Sequence, residues 1–319
     1  MPDREKLSAD LTSLIRFATL MLRSGDAAFR VRQRTGELAR AMGIEGFATR
    51  IALGSLLMAG RRGGTEITRA AEIAPIGVNA FRIGALEDVA RAAGPGTSAA
   101  AIAQQLDAIE RTTPLHPLLV TAIAVGAACG AFSYLNDGGP IEIFASALAG
   151  AIGQALRSAL LMRRINQYAT TALCAVVASG LYSLIVALLG QLGLPTPSHA
   201  AGFISSSLFL VPGFPLVAAL LDLLQHQTEA AITRLAYGAT LLLAGAFGLC
   251  TVASLAGLTA APPPPLAESE ATRLLLRALA TAAGGCGFAI LYNSTWRTAF
   301  AVAGLALIGN ELRLGLHDA

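Results

Sequence analysis

The sequence predicts an α-helical polytopic membrane protein with a small N-terminal soluble α+β domain. Three observations predict it. Hydrophobic residues make up 54% of the 319 and charged residues only 13%, against about 25% charged in an ordinary soluble domain. The charges are concentrated: 15 basic and 12 acidic residues lie between Met1 and His116, and 8 of each in the remainder. That remainder holds seven apolar runs near the roughly 20 residues needed to span a bilayer.

The head, residues 1–116, opens with Leu7, Leu11, Leu14, Ile15, Ala18 and Leu22 at three- and four-residue steps. This is the spacing of an amphipathic helix, with Ser8 and Asp10 available to cap it and an end near Gly25. A second helix is expected over 26–42, stopping before Gly43. Runs 47–57 and 65–73 contain β-branched residues and are separated by the turn-prone Gly60-Arg61-Arg62-Gly63-Gly64, which predicts a hairpin. Helices over 86–93 and 99–111 flank Gly94-Pro95-Gly96. The head's carboxylates sit mostly beside arginines on helix faces, which reads as a solvated surface.

Several function classes are excluded early. Lys6 is the only lysine, so no Walker A sequence exists and no ATPase of the chain's own drives it. Cys129, Cys174, Cys250 and Cys286 lie in apolar runs without metal-ligand spacing and read as packing residues. The head lacks cysteine and has no histidine before His116, so the thiol nucleophile and the commonest general base are missing. No enzyme activity, cofactor or metal is expected. A net charge of +3, interleaved with acids, leaves no nucleic-acid footprint. Asp10, Arg16 and Arg23 interrupt the first apolar stretch, so no secretory signal forms and the head is expected in the cytosol.

The apolar runs are 117–134, 143–162, 168–189, 200–224, 235–258, 274–292 and 296–312. With the head inside, Arg163, Arg164, Arg234 and Arg297 fall in cytosolic loops, while 136–139 and 190–199 carry no Arg or Lys. The positive-inside rule agrees with that orientation, and a multi-pass protein of the plasma (inner) membrane with a cytosolic N-terminus is expected. Tyr134, Tyr168, Tyr237, Tyr292 and Trp296 lie at run ends, as interfacial aromatics should, and Tyr182 alone lies mid-run. Gly126 with Gly130, Ala149 with Gly153, and Ala244 with Gly248 are small pairs four apart that let helices approach. Pro262–Pro265 predicts a stiff linker. The expected division is therefore a head at 1–116, a five-helix unit at 117–260, and a linker with two further helices at 261–319.

The fourth run reads Ser205-Ser206-Ser207-Leu208-Phe209-Leu210-Val211-Pro212-Gly213-Phe214-Pro215 and continues to Asp222. Pro212, Gly213 and Pro215 predict a broken helix, which at membrane depth is tolerated where it is buried in protein or lines a cavity. Discontinuous helices of this kind hold the substrates of secondary transporters. A simple proline kink is the alternative.

Two stretches carry a family resemblance. Leu22-Arg23-Ser24-Gly25-Asp26-Ala27-Ala28-Phe29-Arg30-Val31 looks like the glycine-acid-aromatic-arginine-valine stretch of the threonine/serine exporter family, and Val211-Pro212-Gly213 with Asp222 looks like its V-P-G motif and downstream aspartate. The resemblance covers nearly the whole chain and departs from the pattern at Arg32, where an acidic residue is expected. It implies export of threonine and serine driven by the proton gradient. It also implies about ten spans in two halves, so that a chain of seven is expected to lack most of the second membrane half, which a second copy or a partner would supply.

On this reading the hydroxyls of Ser205, Ser206 and Ser207 and the half-helix amides near Pro212, Gly213, Phe214 and Pro215 bind the substrate. Asp222 serves the coupled proton or the substrate ammonium, since a carboxylate at mid-span costs about 2.5–3.5 kcal/mol and is retained for function. A solvated helix end is its alternative. Secondary candidates are Asp137 and Glu142 beside the outer Gly138-Gly139-Pro140 turn, Tyr182, and Arg157, which with Arg277 is expected to snorkel to the surface. The implied partners are a small amino acid, protons and the lipid bilayer. A membrane-anchored hydrolase using the head, and a passive channel or scaffold, remain the competing functions.

Overall fold

The structure, a computed structural model, describes residues 2–52, 54–73, 77–194, 200–257 and 269–318. The expected linker at Pro262–Pro265, the boundary near Ala261 and positions 195–199 lie outside the described residues. Helix α1 (Pro2–Arg23) buries Leu7, Leu11, Leu14, Ala18 and Leu22. It closes at Gly25, whose φ of +96° is a left-handed cap: the Asp26 amide reaches back to Met21 O and the Gly25 amide to Leu22 O. Helix α2 (Ala28–Ala41) ends in the same way at Gly43 (φ +76°).

The expected hairpin is instead a three-stranded antiparallel meander, β1 (Gly46–Ile51), β2 (Ser55–Arg62) and β3 (Thr65–Glu72), in that order. Run 47–57 divides between Ile51 and Ser55, where the Ala52 amide bonds Ser55 O. Only Gly63 and Gly64, both at positive φ, form the second turn. Gly60, Arg61 and Arg62 stay in β2, continuing the alternation that buries Leu56 and Met58 against α1. Helix α3 (Ala80–Ala92) starts six residues before the expected position because Asn79 caps it, accepting the Arg82 amide. Ser98 caps α4 (Ala99–Arg111).

The apolar remainder forms α5 (Leu118–Leu135), α6 (Pro140–Met162), α7 (Gln167–Gln191), α8 (Ala200–Ser205), a 3-10 turn at Leu208–Leu210, α9 (Gly213–Leu224), α10 (Thr228–Ala256), α11 (Glu270–Leu291) and α12 (Trp296–Asp318). Five of these, α5, α6, α7, α10 and α11, are long and apolar enough to cross a membrane, and α8 with α9 makes a sixth if the broken pair counts as one span. This corrects the expectation of seven. Run 296–312 is helical within α12, but Arg297, Asn310 and Glu311 dilute it and it is not among the candidate spans.

The chain divides into two compact units, each discontinuous in sequence. The first joins Met1–Pro114 to Gly213–Gly238, so α9 and the start of α10 belong with the head, and Ala230 enters the same apolar core as Leu14 and Leu38. The second joins Leu115–Pro212 to Ala239–Ala319. Within it α5 packs against α6 and α11, and α6 against α7. His116 Nε2 lies 2.7 Å from Ser294 O, and its ring meets the Trp296 ring edge-on, tying the start of α5 to the α11–α12 turn. Phe247 and Leu255 are 71% and 85% exposed, as expected of side chains that face lipid.

Candidate functional site

In the first unit, the first of the two stretches that carry the resemblance meets Asp222 of the second. Helix α2 has no capping side chain of its own at Ala27. Asp222, near the end of α9, supplies one: its Oδ1 accepts the Phe29 amide at 2.9 Å. A carboxylate there satisfies an otherwise orphaned donor and faces the positive end of the helix dipole. Arg234, on α10, donates to Gly25 O at 3.2 Å and Asp26 O at 3.0 Å, and its Nε lies 3.8 Å from Asp222 Oδ2. Asp222 is fully buried and Arg234 is 4% exposed. The pair therefore clamps the α1–α2 connection. Gly25 is required in it, since a Cβ would lie 2.9 Å from Gly77 O and meet the Phe214 ring at 3.4 Å.

Asp26 completes this polar layer. Its Oδ1 accepts the Ala27 amide at 2.8 Å and lies 3.0 Å from Arg30 Nε, and Arg30 in turn reaches Glu87 of α3. Burial pushes the Asp26 carboxyl up to about 6, Glu87 adds to the rise, and Arg30, the Ala27 amide and Arg234 oppose it. The expectation of a solvated surface is thus corrected at Asp26 and at Asp10, whose buried carboxylate pairs with Arg62 at 2.7 Å. Asp222 is likewise no solvated helix end, and Arg234, expected in a cytosolic loop, is helical and buried.

In the second unit, the chain breaks earlier than expected. Helix α8 already ends at Ser205, and Pro215 sits in the first turn of α9, where proline is tolerated. Ser205, Ser206 and Ser207 are all buried, but two hydroxyls are spent locally, Ser205 on Ala201 O and Ser206 on Phe203 O. The Ser207 hydroxyl has no hydrogen-bond partner among the described residues. Ser207 is one of the residues around a 170 Å³ cavity, with Leu210, Val211, Leu241, Gly245 and Leu249. The volume lies below the roughly 300–1,000 Å³ of drug-sized pockets, so it suits a ligand of few atoms.

The remaining expected residues are distributed as follows. Ser205, Ser206, Ser207 and Pro212 belong to the second unit, and Gly213, Phe214, Pro215 and Asp222 to the first. A Cβ at Gly213 would meet nothing within 4 Å among the described residues, so no close packing requires glycine there. Asp137 is exposed at φ +62° in the α5–α6 turn. Glu142 and Tyr182 are brought together, with Glu142 Oε1 3.5 Å from the Tyr182 hydroxyl. Arg157 is half-buried on α6.

Comparison with known proteins decides the family. The family profile described as "Putative threonine/serine exporter" matches residues 12–256. The chain belongs to the threonine/serine exporter family. It is also similar to the "Probable succinate transporter subunit YjjP" of Klebsiella aerogenes, 26% identical over 264 residues, which are 80% of this chain and 97% of that one. The protein of the same description from Escherichia coli is 34% identical over 149 residues, 45% of this chain and 54% of that one. No solved structure matches. The chain is thus a multi-pass membrane protein of a transporter family.

Within this exporter-family chain, sequence reasoning missed Arg234 and the Phe29 amide as the partners of Asp222. A signal was present: Asp222 and Arg234 are opposite charges flanking a short turn between two apolar helices, a spacing that lets them face each other.

Proposed function

We propose that this chain is the membrane subunit of a proton-coupled secondary transporter that exports small hydroxylated amino acids, threonine and serine, from the cytosol. The observation that carries the reading is Ser207: a buried hydroxyl with no hydrogen-bond partner among the described residues, at a small cavity where an apolar segment is broken. A buried polar group left unsatisfied costs about 1–3 kcal/mol, and a substrate able to hydrogen-bond it recovers that cost. Backbone broken at membrane depth is the usual setting of such sites. The head lies in the cytosol, the protein in the plasma membrane. The relatives are named as transporter subunits, so a second copy or a partner chain completes the transport unit.

A second reading exchanges the substrate for succinate, which those names favour. The Ser207 hydroxyl can donate to a carboxylate of either compound. Efflux of labelled threonine, serine and succinate from loaded proteoliposomes, with and without a proton gradient, separates the two. Gradient-dependent efflux of threonine or serine supports the first reading, of succinate alone the second. Gradient-independent leakage of all three would establish a passive channel instead.

A further inference from the structure

Asp222 caps α2 and pairs with Arg234 in the first unit, and the second unit holds a buried carboxylate of its own. Among its described residues Glu142 is the most buried, 6% exposed; Asp137 and Glu270 are exposed, and Glu311 is half-buried near the end of α12. Glu142 lies on the inner stripe of α6 with Ala145, Ser146 and Ala149. Its two oxygens have different neighbours. Oε2 accepts the Gly139 amide at 2.8 Å, an ordinary helix-capping contact, and Oε1 lies 3.5 Å from the Tyr182 hydroxyl.

Capping alone explains one oxygen and does not require burial. The Oε1 side leads elsewhere. Tyr182 is fully buried, and its ring lies so close to Gly202 of α8 that a Cβ at that position would collide with it. Phe203 meets the same ring edge-on, with centroids 6.3 Å apart. Three residues on is Ser206, and Ser207 borders the cavity. Glu142, Tyr182 and α8 thus form one packed connection between a titratable group and the broken segment. The titratable side chains on the elements packed against α6 are Cys129 and Tyr134 of α5 and Tyr168, Cys174 and Tyr182 of α7; α8 and the turn at Leu208–Leu210 carry none.

We propose that Glu142 carries the coupled proton, with the Tyr182 hydroxyl as its positioning residue and α8 as the element that senses its charge. This inference rests on the proton-coupled reading above. In the cycle the O–H bond at Oε1 forms with a proton from one aqueous phase and breaks to release it into the other. Protonation replaces a charged acceptor at Tyr182 by a neutral one, which loosens or redirects the hydroxyl and with it the ring that Gly202 and Phe203 hold.

Glu142→Gln separates the roles, because glutamine keeps the oxygen that caps Gly139 and cannot carry a proton. In proteoliposomes of the full chain with labelled threonine, serine or succinate, Glu142→Gln is expected to lower gradient-driven efflux at least tenfold. Gradient-independent exchange of the same substrate should persist. Tyr182→Phe, which keeps the ring, is expected to move the pH midpoint of efflux. Wild-type pH dependence and efflux in Glu142→Gln overturn the inference while leaving the transport reading intact. A wild-type chain that moves none of the three substrates overturns that reading and the inference with it. If Glu142→Gln does not fold, Glu142→Asp serves: it keeps the titrating group at a shorter reach, and an unchanged pH midpoint in both it and Tyr182→Phe overturns the proposal.

Discussion

The Asp222 carboxylate caps helix α2 by accepting the Phe29 amide at 2.9 Å, across 193 positions of sequence. A helix start whose own Ala27 offers no side-chain acceptor is thereby completed from α9. Loss of a capping side chain costs about 0.5–2 kcal/mol. Asp222→Ala should therefore speed amide hydrogen exchange across the first turn of α2, while Asp222→Asn, which keeps an acceptor oxygen, should leave the Phe29 amide protected. Equal exchange in the two variants would show that the cap does not hold the helix.

Asp26 predicts a pH dependence with a definite sign. Burial raises its carboxyl from the usual 3.8 to about 6 in the folded chain. The folded state therefore binds this proton more tightly than the unfolded one. Its contribution to stability is full below about 3.8 and is lost as pH rises through about 6. Asp26→Asn, neutral at every pH and still able to accept the Ala27 amide, should abolish that decline and melt higher than wild type at pH 7. Thermal melts in detergent between pH 4.5 and 7.5, taken as variant minus wild type, would show a difference growing with pH; a constant difference would place the titration elsewhere.

Ser207 is a case in which removing a polar group should cost almost nothing in stability. Its hydroxyl is buried without a hydrogen-bond partner among the described residues, so Ser207→Ala should leave the melting temperature unchanged or slightly raised. The same substitution should weaken substrate binding by roughly tenfold, the equivalent of one hydrogen bond of about 1.4 kcal/mol. Gly245→Leu, which adds bulk at a residue of the 170 Å³ cavity, should impair transport. Unimpaired efflux by this variant would remove the cavity from the substrate path.

What the sequence made legible follows from how local each signal is. The apolar runs for α5, α6, α7, α10 and α11 needed only length and composition, and α1 needed only its three- and four-residue spacing. The two-stranded hairpin failed because the sequence between Ile51 and Ser55 lacks an Asn-Gly or Asp-Gly pair, so β1 and β2 read as one run. The site was legible in part. Its motifs were singled out at Gly25–Val31 and Val211–Asp222, but their meeting through Asp222 and Phe29 is a tertiary relationship that no periodicity encodes. The burial of Asp26 was hidden for the same reason: a carboxylate beside an arginine looks alike on a surface and in a core.

The Asp222–Arg234 pair yields the most discriminating prediction. Both side chains are buried, so each charge pays a desolvation cost that the other, at 3.8 Å, offsets. Removing one partner strands the other: Arg234→Met should destabilise the chain by about 3–5 kcal/mol, because Asp222 is left charged in a buried setting. Removing both with apolar residues of similar size lifts that penalty, so Asp222→Leu with Arg234→Met should be less destabilised than Arg234→Met alone. Recovery should be incomplete, since Arg234 also satisfies Gly25 O and Asp26 O, and the Phe29 amide loses its cap. Thermal or denaturant unfolding of the two single variants and the double variant measures the coupling directly. Strictly additive losses would mean that the two charges act independently, and that the α1–α2 connection is held by its backbone turn at Gly25 rather than by the clamp.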